Sequence, residues 1–322
     1  MCTAATYTAK DFYFGRNLDY ERSWGESVAI TPRKFPFRFR SGEVIREHYA
    51  MIGMAHIRDN YPLYYDAVNE AGLCVAGLNF TKSTVYHAPS PGKESVAQFE
   101  FIPWLLSKCG SVAEAASLLG NTVITGEQFA PGLPSAKLHW LIADKKSCVV
   151  VESTKDRLNL YENPFGVLTN EPPFTIQSFM LNNYLNLSAK PAENRSGLGI
   201  ESYSRGMGAI GLPGDLSSAS RFVRAAFVRA NSVSDGSEAG NVSQLFHILG
   251  SVEQQRGCCE LENGEHEYTI YTSCVNADRG IYYYRTYDSC RVAAVDMHRA
   301  ELESEEIVSF PIVRDTKFEF LN

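Results

Sequence analysis

Cys2 stands directly behind Met1, and Arg16 and Asp19 close the run Phe14-Gly15-Arg16-Asn17-Leu18-Asp19 a little further on. Removal of Met1 would leave a free α-amine and a thiol on one residue, a base and a nucleophile sharing a Cα. A free α-amine titrates near pH ~7.7–8.0, so a good share of it is neutral and able to take a proton at neutral pH. The thiol attacks once it has lost its own proton, which a neighbouring cation favours. If the chain doubles back here, Arg16 supplies that cation and Asp19 can orient the amine. The same residues also fit an inert buried cysteine and a surface ion pair worth little. What the rest of the chain brings decides between the two.

The elements that must position these groups are legible as alternating and helical patterns. Residues 2–8 and 12–19 read as a β-hairpin turned by Thr8-Ala9-Lys10-Asp11. Gly15 marks a bulge or a close approach. Strands are expected at 27–31, 48–56, 63–68 and 73–79, the last continuously apolar and so buried on both faces. Asn79 ends that strand, where an amide serves either as a turn cap or as a site residue. Helices are expected over 98–107 and 111–119, the second opened by the capping box Ser111-Val112-Ala113-Glu114. Residues 126–134, rich in Gly and Pro, form a candidate pocket rim. Strands follow at 138–143, 147–153 and 166–170. Asn170 closes the last, and Pro172-Pro173 breaks the chain after it. Further helices are expected at 175–187, 217–231 and 241–255, around a polar, irregular connection at 189–214, and strands at 267–274, 280–287 and 291–297. Arg221 falls in a first helical turn, where a cation opposes the helix dipole. This order predicts an α+β fold with two sheets packed together and covered by helices, one domain over residues 1–322.

Composition removes several classes of function. The 322 residues carry a formal charge of −7 and no long Lys/Arg cluster, which argues against a nucleic-acid surface. No apolar run approaches the ~20 residues of a membrane span. The N-terminus lacks a basic-then-apolar signal pattern, and a cytoplasmic location is expected. Eight cysteines are scattered without CxxC pairs or ligand spacing to His, so neither a metal nor a disulfide framework is expected, and no cofactor motif is present.

Seven stretches, in order, resemble the choloylglycine hydrolase family: Met1-Cys2-Thr3, Phe14 to Asp19, Ala76-Gly77-Leu78-Asn79-Phe80, Leu138-His139-Trp140, Val167-Leu168-Thr169-Asn170, Gly211-Leu212-Pro213-Gly214-Asp215 and Ser220-Arg221-Phe222-Val223-Arg224. The resemblance runs through nearly the whole chain. It implies a four-layer αββα sandwich of the N-terminal nucleophile type, two antiparallel sheets flanked by helices, and amide hydrolysis without cofactor or metal. It implies Cys2 as nucleophile with its freed amine as acid and base, Asp19 and Arg16 orienting and tuning it, the Asn170 side chain and Asn79 backbone amide as oxyanion donors, and Arg221 beside the nucleophile. It also implies a homotetramer, with 189–214 as a natural subunit contact.

Within that family Asn at position 79 resembles the bile salt hydrolases, whereas penicillin V acylases more often carry Tyr there. The implied substrate is a conjugated bile salt, a small amphipathic anion, with penicillin V as the alternative. Tyr20, Trp24, Tyr65, Phe129 and Leu138 are the expected apolar contacts. Two other readings stay open on sequence: a papain-like site using His48, His56, His139 or His247, and a non-catalytic amphiphile binder.

Overall fold

A computed structural model describes all 322 residues. The hairpin is present as β1 (Cys2–Thr8) and β2 (Phe12–Tyr20). Eight further strands of 4–9 residues precede or follow the central loops: β3 (Ser27–Thr31), β4 (Met51–Arg58), β5 (Tyr61–Asn69), β6 (Cys74–Asn79), β7 (Leu138–Ala143), β8 (Cys148–Ser153), β9 (Leu158–Glu162) and, last in the chain, β14 (Val308–Pro311). The two-residue β10 (Val167–Leu168) and the C-terminal β11 (Tyr268–Asn276), β12 (Ile281–Thr286) and β13 (Ser289–Asp296) complete two antiparallel sheets. One sheet has six strands in the order β10-β1-β2-β11-β12-β13, the other eight in the order β9-β8-β7-β6-β5-β4-β3-β14. The strands at 158–162 and 308–311 were not legible in the sequence; both are edge strands, half-buried or exposed, without the apolar run that marks a core strand.

The layers follow from side-chain alternation. In β7, Leu141 faces the other sheet, while Trp140 and Ile142 face α1 (Phe101–Lys108) and α2 (Val112–Leu119). The larger core joins the two sheets and continues to α4 (Ser218–Asn231) and α5 (Glu238–Gly250) through Phe222, Leu245 and Leu249. The expected αββα sandwich is therefore what forms. No helix is long and apolar enough to cross a membrane.

Helix ends differ where a better cap lies nearby. The helix expected from Asn241 begins at Glu238, because Ser237 accepts from the Gly240 amide, and it ends at Gly250. Asn241 instead accepts from the Ser234 hydroxyl at 2.6 Å. The helix expected over 175–187 is α3 (Phe174–Met180), followed by a short 3₁₀ turn at Leu181–Tyr184. Ser217 precedes α4 without capping it through its side chain; Asp215 accepts from the Ser217 amide and the Ser220 hydroxyl in its place. Gly15 is a close approach and not a bulge: a Cβ there would stand 2.1 Å from the Ser273 carbonyl of β11.

Candidate active site

Strand parity sorts the hairpin's chemistry. Cys2 pairs with Leu18 and Ala4 with Arg16, so the thiol and the guanidinium project from the same face of the sheet, towards the eight-stranded sheet. Thr3, Asn17 and Asp19 project from the opposite face, towards the helices. Arg16 and Asp19 thus flank Cys2 as expected, but on different sides: Arg16 on the side of the thiol, Asp19 on the side reached by α4.

Arg16 is fully enclosed. Its Nη1 donates to the carbonyls of Tyr65 at 2.9 Å and Gly77 at 2.6 Å, both on the facing sheet, while Nη2 makes no protein hydrogen bond. Burial opposes its charge, but Cys2, Tyr271, Asp66 and Asp19 outweigh it and hold the pKa above that of an ordinary arginine. Asp66 is itself enclosed by the hydroxyls of Tyr271, Tyr282 and Ser273. A β-bulge makes the Tyr65 contact: the β4–β5 register passes from Met54↔Asp66 to Ala55↔Tyr64, leaving Tyr65 as the extra residue.

A second bulge, at Ile270 between Thr269 and Tyr271, shapes the other side. Thr269 Oγ1 donates to Asp19 Oδ1 at 2.6 Å, and Gln254 Nε2 to Oδ2 at 3.3 Å. Burial raises the Asp19 pKa, against the lowering pull of Arg221 and the amino terminus. With Met1 in place, the Met1 amine donates to the Asp19 carbonyl at 2.9 Å and pairs with Glu267. Thr269, Gln254 and Glu267 were not found from the sequence; they lie some 250 residues from Asp19 without a motif to mark them.

Asn170 is brought beside Cys2 by β10, which pairs with β1 through Ala4↔Leu168. Its Oδ1 accepts from the Cys2 nitrogen at 2.8 Å and from Arg221 Nη2 at 2.7 Å. Two donors on the oxygen fix the amide's orientation, so Nδ2 points away, donating one hydrogen to the Asn79 carbonyl at 2.8 Å. Arg221 crosses from the first turn of α4, its Nη1 donating to Cys2 O and Thr3 Oγ1, each at 2.6 Å. Its unfavourable helix position is explained by what it reaches. Asn79 is set by β6: the next amide, Phe80, donates to Lys137 O, so the Asn79 amide turns away from β7.

Cys2, only 2% exposed, lies at the floor of a cavity of about 510 Å³ lined mainly by apolar side chains. All five expected contacts, Tyr20, Trp24, Tyr65, Phe129 and Leu138, line it, and the 126–134 loop forms its rim through Phe129, Leu133 and Pro134. Phe99 meets Phe129 edge to face with centroids 5.3 Å apart. Phe99, Leu63 and Ile102 were missed because their apolar character reads equally as core. Asp19 and Arg221 are fully enclosed away from the cavity, and Asn170, not itself a lining residue, adjoins it through the Asn79 carbonyl that its Nδ2 holds. His48 is tied to the Tyr49 and Phe35 carbonyls and His139 to Thr169 O, His247 lies at a different cavity, and His56, which lines the same cavity as Cys2, makes no hydrogen bond to its thiol. The papain-like arrangement is not the one that forms.

An αββα sandwich with a thiol at the second residue, one strand from an asparagine amide, is the architecture of the N-terminal nucleophile hydrolases. The chain belongs to the choloylglycine hydrolase family of linear amide C–N hydrolases, whose model matches residues 2–310. It is 50% identical over the full length of both chains to a bile salt hydrolase/transferase of Lactiplantibacillus plantarum. It is 36% identical to one from Clostridium perfringens, over 96% of each chain. A crystal structure of a mutant conjugated bile acid hydrolase from Clostridium perfringens superposes with a TM-score of 0.94, at 33% identity, covering all of both chains. A penicillin V acylase from Agrobacterium tumefaciens shares the fold, with a TM-score of 0.78 at 17% identity over 96% of this chain and 90% of that one.

Proposed function

We propose that this enzyme hydrolyses the amide bond of glycine- and taurine-conjugated bile salts, using Cys2 after Met1 has been removed. The observation that carries the reading is that the thiol opens into an apolar cavity of about 510 Å³, walled by Tyr20, Trp24, Tyr65, Phe129 and Leu138, which suits a flat steroid. The names of its full-length relatives support the same substrate class.

In the processed chain the Cys2 nitrogen is an amine held by Asn170 Oδ1 and the charge of Asp19. Arg16, on the thiol's face, favours the thiolate, and the thiol's proton passes to the Cys2 amine, making it the ammonium. The thiolate attacks the amide carbon, and the second Asn170 Nδ2 hydrogen and the Asn79 amide receive the developing oxyanion. The C–N bond breaks as the Cys2 ammonium gives its proton to the leaving nitrogen. Water, deprotonated by the same amine, then cleaves the thioester to release the free bile acid. Arg221 fixes Asn170 and the Cys2 carbonyl and balances Asp19, 3.9 Å away.

Comparing kcat/KM for glycocholate and penicillin V tests the substrate. A preference for the penicillin of about tenfold or more, roughly 1.4 kcal/mol in transition-state binding, overturns the reading in favour of a penicillin V acylase. The chain is proposed to work as one domain, and as a cytoplasmic protein, a location its eight free cysteines suit. A homotetramer is proposed through residues 189–214, where Leu198, Ile200, Tyr203 and Ile210 are 59–86% exposed. Sizing in solution at a single subunit mass would remove that part.

A further inference from the structure

One buried histidine joins the two strand ends to which the oxyanion role is assigned. His139 of β7 is fully enclosed. Its ring lies flat on Phe80, with centroids 4.3 Å apart and planes 4° from parallel. Its Nε2 meets the Thr169 carbonyl at 2.8 Å and its Nδ1 meets Glu152 Oε1 at 3.2 Å. Phe80 directly follows Asn79, and Thr169 directly precedes Asn170. The side chain therefore touches the immediate neighbour of each donor residue and neither the thiol nor the cavity.

The contacts also determine where one ring hydrogen lies. A carbonyl offers only lone pairs, so Nε2 carries a hydrogen. Glu152 Oε1, which Nδ1 faces, is itself fixed by accepting the Phe174 amide at 2.9 Å, so the ring is held between two anchored oxygens. A ring turned over would point carbon at both acceptors. The pair is thus a rigid strut with one orientation, and α3 is drawn in through Phe174.

We infer that His139, oriented by Glu152, is a positioning residue for the oxyanion hole: it sets the spacing between the Asn79 amide and the Asn170 side chain by holding Phe80 and Thr169 at once. This rests on the hydrolase reading above. Donor placement matters steeply, since a misplacement of about 1 Å can cost ~10²-fold in rate.

The test compares wild type with His139→Phe/Glu152→Gln, which keeps the ring on Phe80 and avoids a lone buried carboxylate, and with His139→Gln, whose amide can reach Thr169 O. Turnover of glycocholate is measured beside the rate at which iodoacetamide alkylates Cys2, a reaction with no oxyanion to stabilise. The double variant is expected to lose about 10–100-fold in kcat with KM and alkylation within about threefold of wild type, and His139→Gln to fall between the two. Unchanged kcat, a loss confined to KM, or alkylation falling in step with turnover in either variant overturns the inference. Asn170→Ala, run alongside, separates the two levels. If it turns over normally, the oxyanion assignment fails; if it collapses while both His139 variants match wild type, only the strut fails.

Discussion

Asn170 is the residue on which most of the site converges. Its oxygen is held by the Cys2 nitrogen and Arg221, its nitrogen by Asn79 O, and its backbone amide by the Ser218 hydroxyl. An oxyanion donor is worth about 10²–10³ in kcat, so Asn170→Ala should lose that much while KM for glycocholate changes little. The α-amine carries a second prediction. With Met1 attached, the Cys2 nitrogen is an amide and cannot act as a base. Active protein should be lighter than the full chain by one methionine in intact mass, and a variant carrying one extra residue ahead of Cys2 should be inactive. These groups were readable from the sequence because each sits in a short motif at a strand end or helix start. The shell around the amine was not: Thr269, Gln254 and Glu267 approach from a bulged strand and a loop at the far end of the chain. The pairing of His139 with Glu152 depends on register between two apolar strands, which composition does not reveal.

Elements hold the site by close contact. Gly15 lets β2 lie against β11 with a backbone carbonyl where a Cβ would be. Gly15→Ala has no flexible side chain to displace and is expected to cost about 2–4 kcal/mol of stability, measured by denaturant unfolding. At the start of α1, Glu100 accepts the Arg40 amide at 2.9 Å, and burial pushes its pKa up to about 7. A carboxyl raised on folding contributes stability that is present below its unfolded value and lost as pH rises through the folded one. The window here runs from about 4.5 to about 7. The Tm of Glu100→Gln relative to wild type should therefore climb between pH 4.5 and pH 7.5; a flat difference removes the assignment. Most strands and the Ser111 cap could be read from periodicity and capping chemistry. The early start of α5 could not be placed, because Ser237 and Asn241 are both acceptable caps and only packing chooses between them.

At the scale of the whole molecule, the eight-stranded sheet is shared by both cores, apolar on each face, while the six-stranded sheet carries the site towards one edge, on β1 and β2 beside the short edge strand β10. The two-sheet arrangement was legible from the alternation of strand and helix blocks, whereas the edge strands that close the larger sheet carry too little apolar pattern to be seen. The formal charge of −7 repels an anionic substrate at long range, leaving recognition to the cavity. Raising ionic strength should accordingly leave kcat/KM for glycocholate unchanged or increase it; a steep fall would point to a cationic funnel that this surface does not provide.

The bulge at Tyr65 has a bearing on how sequences of this kind can drift in length. A strand presents alternate residues to a given side, yet Leu63, Tyr64 and Tyr65 all reach the cavity, because one extra residue breaks the alternation there. Substitution at Tyr65 changes a side chain; deletion of Tyr65 would restore a regular ladder, leave Tyr64 and Asp66 on the opposite faces they already occupy, and remove the carbonyl that Arg16 holds. A one-residue gap there would accordingly spare the strand and strike the site: Arg16 would lose one of its two carbonyl partners on the facing sheet, and the cavity one of its aromatic walls.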